Sequence, residues 1–201
     1  MIRQAAKIIS TFFHPVLIPT LGFILLFNSG FYFSYLSWEA KRFVLLVVFF
    51  TTCILPLLSV AVLALNPKFN VAMNKANDRL VPYIFASVFY YIGYLLLAKI
   101  SAYPVFKVFM LASVLVIVGL LLVSLKWKIS AQMAAIGGLT GTLLALSFRT
   151  GINPAWAVVI VILVSGLTGT INLLQEKHTI GQVLAGYGLG FSVMYAVLYF
   201  I

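Results

Sequence analysis

The chain contains little charge and almost no acid. Only 8% of its 201 residues are charged, and three acidic residues stand against thirteen Lys and Arg. One cysteine, Cys53, and two histidines are too few for a disulfide framework, and we expect no metal site and no cofactor. This shortage of charge, with 64% hydrophobic residues and a mean hydropathy of +1.17, excludes an ordinary soluble domain.

Long apolar runs fill most of the chain. A helix needs about 20 mostly apolar residues to cross a bilayer. Seven runs are long enough, near 14–35, 42–65, 80–98, 105–124, 131–148, 153–171 and 181–201. None alternates as a strand of an outer-membrane barrel would. We therefore predict an all-α integral membrane protein, a bundle of about seven transmembrane helices in a bacterial cytoplasmic (inner) membrane.

A single membrane domain covers residues 1–201, because no linker or internal repeat divides the sequence. Within it we expect a lead-in and first span over 1–41 and a core over 42–201. The first run is not expected to be a signal peptide, since Pro15 and Pro19 interrupt it and no cleavage site precedes a polar domain. The sequence shows no broken-helix repeat, which disfavours a solute transporter.

Loop charge does not fix the orientation. Counting crossings places eight Lys and Arg on one side and five on the other, which would make the richer side cytoplasmic. Five of the eight lie in the polar segments interpreted below as a phosphate site. Without those five the count is three against five, which would make the other side cytoplasmic. The net charge is +10, and the basic residues that produce it are scattered over loops. This distribution favours anionic or phosphorylated membrane lipids as partners and argues against nucleic acid.

Three polar segments fall on the same predicted side. We name them island 1 (75–82), island 2 (126–132) and island 3 (172–182). Two membrane spans separate each consecutive pair of islands, so the chain returns to the same side each time. Cations, a serine at a helix start and an imidazole are therefore expected at one end of the bundle. His178 alone would be an interfacial histidine, and this convergence makes it a candidate functional residue. His14, at the start of the first span, is given no chemical role.

Small residues predict close helix contacts in the last third of the chain. The pairs Gly137/Gly141 and Gly186/Gly190 have the four-residue spacing that lets backbones approach in lipid. We expect these two helices to pack against each other, with a dimer interface as the alternative. Asn172, at the end of a span, has an alternative role as a hydrogen-bonding contact between helices.

The island residues resemble a known signature. Arg79 with Pro82, then Ser130-Ala-Gln132 opening a glycine-bearing helix, then His178 followed by Gln182 and Ala185-Gly186, resemble the three motifs of the type 2 phosphatidic acid phosphatase and vanadium haloperoxidase superfamily. The resemblance covers roughly residues 70–190. It implies a six-helix core that holds a phosphate site.

The resemblance also implies a role for each matching residue. His178 would be the nucleophile that attacks phosphorus and forms a phosphohistidine. Arg79 and Ser130 would hold phosphoryl oxygens, and helix N-termini favour anions at Ser130 independently. Lys75 would stand in for the family's first-motif lysine, and Lys128 would add a further cation.

Among the positions that depart from the family pattern, three bear most directly on activity. Gln132 stands where the family has a histidine, and an amide cannot act as a general acid. Asn172 stands at the position of an arginine that clamps phosphate. Gln182 replaces the carboxylate that orients His178, and it can fix the tautomer without offsetting the imidazolium charge.

We therefore expect a protein that binds a lipid phosphate or pyrophosphate headgroup with weak or lost phosphatase activity. A working lipid phosphatase, which would be a phosphoric monoester hydrolase, is one alternative. The other is a non-catalytic subunit or assembly partner of a membrane complex, including a homodimer, in which the same cations bind lipid or a partner protein.

Overall fold

A computed structural model of the chain describes residues 10–11, 13–65, 77–99 and 104–201. All regular elements in these residues are helical, as expected for an all-α membrane bundle. Six helices are long and apolar enough to span a membrane: α2 Trp38–Leu63, α3 Leu80–Ala98, α4 Pro104–Ser124, α5 Ala131–Thr150, α6 Ala155–Leu174 and α7 Ile180–Phe200. A shorter apolar helix, α1 Ile18–Asn28, lies before them.

The first apolar run does not form the long helix that we expected over 14–35. Its helix α1 is about 16 Å long at 1.5 Å per residue, which is short for a hydrocarbon core of roughly 30 Å. The chain still passes from one end of the bundle to the other. Phe13 contacts Gln132 at the start of α5, and the Phe33 ring lies 5.6 Å from that of Phe106 near the start of α4. Pro19 sits in the first turn of α1, where its missing N–H costs no helical hydrogen bond.

Helix α2 contains a π-helical segment, Phe50–Ile54, in its interior. The segment lies just before Pro56, which has no N–H to offer the helix and displaces the regular hydrogen-bond pattern. Thr52, which lies in this segment, forms a hydrogen bond outside the helix: its Oγ1 donates to the carbonyl oxygen of Val16 at 3.4 Å. The irregularity therefore ties α2 to the segment that precedes α1.

Helix α5 lies at the centre of the bundle. It is the most buried of the six long helices and contacts α1, α4, α6 and α7. Glycines bring α7 closest to it: a Cβ at Gly137 would collide with the carbonyl of Tyr187, and a Cβ at Gly190 with that of Ala134. The predicted packing of the two glycine pairs within one chain is confirmed, and it sets the start of α5 beside the start of α7.

Candidate functional site

The three islands meet where α3, α5 and α7 begin. Arg79, in a short 3-10 turn before α3, donates from Nη1 to the carbonyl of Ile129 at 3.3 Å, which joins island 1 to island 2. The N–H of Ser130 donates to the carbonyl of Gln182 at 3.2 Å, which joins island 2 to island 3. The convergence expected from loop parity is therefore present. Lys75, the remaining cation predicted for island 1, lies outside the described residues.

Hydroxyl side chains cap the starts of both α5 and α7. The buried Ser130 accepts at Oγ from the N–H of Met133 at 3.3 Å, and Thr179 accepts at Oγ1 from the N–H of Gln182 at 3.4 Å. Thr179 and Gln182 form a complete capping box. Two helix N-termini, the positive ends of their dipoles, therefore lie side by side. The Ser130 hydroxyl keeps its own hydrogen to donate to an anion.

Gln182 fixes the orientation of His178. Its Oε1 accepts from the N–H of Thr179 at 3.1 Å and lies 3.2 Å from Nδ1 of His178. Because that oxygen can only accept, Nδ1 carries the proton in this arrangement and Nε2 keeps its lone pair. The contact expected between the two side chains is present, and it leaves free the nitrogen that a nucleophile uses.

The surroundings keep the imidazole neutral. Burial, and then the positive charge of Arg79, lower the pKa of His178 to about 4, with Lys128 and Lys177 acting in the same direction and the Gln182 hydrogen bond opposing them. Burial and Arg79 also lower the pKa of Lys128. Both shifts have the sign that a bound anion would reverse, since negative charge stabilises each protonated form.

A cavity of about 600 Å³ runs from this end into the bundle. This volume is within the range of about 300–1,000 Å³ that small-molecule sites occupy. Its polar end contains Arg79, Lys128, Ser130, Gln132, Asn172, Lys177 and His178. Its apolar body follows α4 from Leu120 to Phe109, roughly 16 Å along the helix axis. A cationic end joined to an apolar body matches the shape and polarity of an anionic amphiphile.

Two of the positions that depart from the family pattern bond to each other. Asn172 donates from Nδ2 to Oε1 of Gln132 at 3.3 Å, and both side chains are buried. Gln132 in turn donates from Nε2 to the carbonyl oxygens of Phe13 at 2.7 Å and Ser10 at 3.4 Å. Asn172 therefore makes the contact between helices that was its alternative role, and Gln132 connects α5 to the N-terminal segment.

Two residues that line the cavity were not predicted from the sequence. His14 and Ser10 both lie in its wall, and Lys177 donates from Nζ to Oγ of Ser10 at 3.4 Å. Burial, and then the charge of Lys177, lower the pKa of His14. The only feature of the sequence that could have pointed to His14 as a site residue is that the chain has just two histidines. No local sequence pattern shows that its segment folds against the start of α5.

A second, more open pocket of about 390 Å³ lies beside the first. Lys128, Lys177 and His178 line both, so this imidazole stands between the amphipathic cavity and the surface. Glu176, which also lines the second pocket, has a φ of 53° where helix α6 ends, a conformation that favours glycine. The loop that carries His178 is therefore shaped by a strained residue next to the site.

Comparison with known proteins adds no relative. No protein-family model, curated protein or solved structure matches the chain. The resemblance to the phosphatase superfamily therefore rests on the island residues.

Proposed function

We propose that the protein binds a membrane lipid with a phosphate or pyrophosphate headgroup and has at most weak phosphatase activity toward it. The observation that carries the proposal is the cavity that joins a cationic end to an apolar body in one chain of six long apolar helices. In this proposal the protein is a divergent member of the type 2 phosphatidic acid phosphatase superfamily in a bacterial cytoplasmic membrane. Helical spans are typical of such membranes.

The cationic end supports recognition of the headgroup. Arg79 and Lys128 supply positive charge, and Ser130 supplies a hydroxyl at the start of α5. Hydrogen bonds between charged groups and phosphate are about twice as strong as neutral ones. The two helix N-termini add further positive potential at the same place.

The apolar body supports recognition of the lipid chain. Its wall includes Leu57 of α2, Ala86 of α3, Val116 and Ile117 of α4 and Leu139 of α5. Each methylene buried there would contribute about 0.8 kcal/mol relative to water. A free phosphate ion would gain none of this, so the cavity favours a phosphorylated lipid over inorganic phosphate.

The chemistry open to the site is phosphoryl transfer to His178. Nε2 attacks phosphorus, the bond to the lipid oxygen breaks, and water then hydrolyses the phosphohistidine to release inorganic phosphate. Gln132 cannot protonate the leaving oxygen, and a site without another proton donor would lose typically 10²–10⁴ in rate. Asn172 cannot clamp the transferring group as an arginine would. Weak turnover is the expected result.

Binding of dodecyl phosphate to the purified full chain in nanodiscs tests the proposal by ³¹P NMR. Dodecanol, which lacks the headgroup, and inorganic phosphate, which lacks the chain, should each bind more weakly than dodecyl phosphate. Arg79→Gln and Lys128→Gln should each weaken binding about tenfold or more, the effect of losing one charge-assisted hydrogen bond. Lys126→Gln is the matched control, since this exposed lysine is not among the described residues that line the cavity.

Equal binding of dodecyl phosphate by the Arg79, Lys128 and Lys126 variants would contradict the site. Phosphate release that exceeds a His178→Ala control would establish the enzymatic part. The buried amide pair of Gln132 and Asn172 favours one rival, a non-catalytic membrane subunit, because these side chains are satisfied without a ligand. A stable partner that co-purifies with both wild type and His178→Ala, with no binding of dodecyl phosphate, would support that rival.

A further inference from the structure

Both histidines of the chain line the same cavity. The sequence contains only His14 and His178, and 163 residues separate them along the chain. His178 lies in the loop between α6 and α7, whereas His14 precedes α1. His14 lies in the cavity wall and is only partly buried, so a ligand in the cavity can contact it.

The segment that carries His14 is fastened to the headgroup end of the cavity. The carbonyl of Phe13, the residue immediately before His14, accepts from Nε2 of Gln132 at 2.7 Å. Lys177, the residue immediately before His178, donates to the hydroxyl of Ser10 at 3.4 Å. The residue before His14 therefore binds the start of α5, and the residue before His178 binds the N-terminal segment that carries His14.

We propose that His14 is the proton donor and acceptor for phosphoryl transfer at His178, a role that Gln132 cannot fill. The inference rests on the proposed function. Gln132 becomes a positioning residue, because its amide holds Phe13 and so places His14 beside the headgroup. The imidazole missing from the start of α5 is thus supplied by the N-terminal segment.

The proposed steps are balanced in atoms and charge. Nε2 of His178 forms a bond to phosphorus as the bond between phosphorus and the lipid oxygen breaks, and protonated His14 gives its proton to that oxygen to form the lipid alcohol. Neutral His14 then takes a proton from water as the water oxygen attacks the phosphohistidine. Inorganic phosphate leaves, His178 returns to its neutral form and His14 is again protonated.

The charges around His14 fit this cycle. The charge of Lys177 acts on it, and Arg79, Lys128 and His178 line the same cavity. Burial and Lys177 lower the pKa of His14 in the free protein, so its ring is largely neutral at neutral pH. A phosphate headgroup brings negative charge to this cation cluster and raises that pKa. His14 therefore gains its proton when the substrate binds.

The test is a comparison of two leaving groups in single turnovers of the full chain. Dodecyl phosphate releases an alkoxide that needs a proton, whereas a dodecyl-substituted nitrophenyl phosphate releases a stable phenolate that does not. His14→Gln should slow release of dodecanol by about 10²–10⁴, the usual contribution of a general acid. It should slow release of the nitrophenol by less than about tenfold. Gln132→Leu should also slow release of dodecanol more than release of the nitrophenol, but by a smaller factor than His14→Gln.

An equal loss with both esters would assign His14 a structural role and overturn the inference, as would an unchanged rate with dodecyl phosphate. Binding of dodecyl phosphate to His14→Gln, measured by ³¹P NMR, checks that the variant is folded. A wild-type protein that binds dodecyl phosphate but cleaves neither ester would overturn the role of His14 and leave the binding function standing. A wild-type protein that binds neither ester would overturn both.

Discussion

Asn172 donates a hydrogen bond from Nδ2 to Oε1 of Gln132 at 3.3 Å, so that two neutral amides face each other across α6 and α5. At these positions the resembling phosphatases carry an arginine and a histidine. An arginine and a histidine beside each other would need a bound phosphate to offset their charges, whereas the amides satisfy each other. The two amides therefore satisfy each other, and the positive charge of the cavity comes from Arg79, Lys128 and Lys177 instead.

The amide pair should be energetically coupled. Asn172→Leu leaves Oε1 of Gln132 without its donor, and Gln132→Leu leaves Nδ2 of Asn172 without its acceptor, each at a cost of about 1–3 kcal/mol in the free energy of unfolding. The double variant should cost less than the sum of the two, because no unpaired group remains between them. Thermal unfolding in detergent measures the three values. Additive costs would show that the pair contributes no interaction energy.

The protonation state of His178 should be set chiefly by burial and then by Arg79. Its pKa of about 4 predicts that the ¹³C NMR signal of its ring stays constant down to about pH 5. Arg79→Gln should raise that pKa, because it removes the largest of the charges that oppose protonation. The His14→Gln background leaves one histidine signal in each spectrum. Lys126→Gln is the control, and an equal rise in that variant would contradict a specific effect of Arg79.

The same shift makes the stability of the protein depend on pH. The unfolded chain binds a proton at His178 near the ordinary pKa of 6.5, whereas the folded protein resists protonation until about pH 4. Unfolded molecules therefore hold more protons between these values, and stability falls as the pH drops through that window.

Gln182→Glu should make His178 a stronger nucleophile in the proposed reaction. The carboxylate has the shape of the amide and can accept from both Thr179 and Nδ1 of His178, so the capping box is kept. Its charge should raise the pKa of His178 and offset the charge of the phosphohistidine. We expect phosphohistidine to form at least tenfold faster, a small part of the roughly 10⁴-fold effect of the orienting carboxylate in serine proteases.

Gln182→Met is the matched control for that change, since it keeps the length and removes both acceptor contacts. It should slow phosphohistidine formation and lower stability by about 0.5–1.5 kcal/mol, because the Thr179 N–H loses its acceptor in the capping box while Thr179 still caps the helix. A Glu variant that reacts no faster than wild type in ³²P labelling would show that orientation, and not charge, limits the reaction.

The glycines between α5 and α7 offer a test with an internal control. Gly190→Ala would drive a methyl group into the backbone of Ala134, whereas a Cβ at Gly188 meets no atom within 4 Å. The first change should lower the free energy of unfolding by roughly 1–3 kcal/mol or more. The second should be neutral or stabilising, because alanine favours a helix over glycine by about 1 kcal/mol. Similar losses at both positions would contradict the close approach of the two helices.

Much of the bundle could be predicted from hydropathy alone. The run at 80–98 matches helix α3, and those near 131–148 and 181–201 match α5 and α7 within two residues at each end. The first run was mispredicted because hydropathy counts apolar residues but does not show how Pro15 and Pro19 restrict the helix. Its chain still crosses between the ends of the bundle, and its described residues form α1 and a short 3-10 helix, Tyr32–Tyr35.

The membrane class, the spacing of the three islands and the glycine faces follow from the amino-acid sequence, since these depend on composition and on the period of the helix. Loop parity was enough to predict that Arg79, Ser130 and His178 lie at one end of the bundle. The folded structure was needed to show that they share a cavity with an apolar body, that Asn172 pairs with Gln132, and that His14 lies in the cavity wall. These contacts join residues from 40 to more than 100 positions apart, and which polar groups meet across such distances depends on how the helices pack.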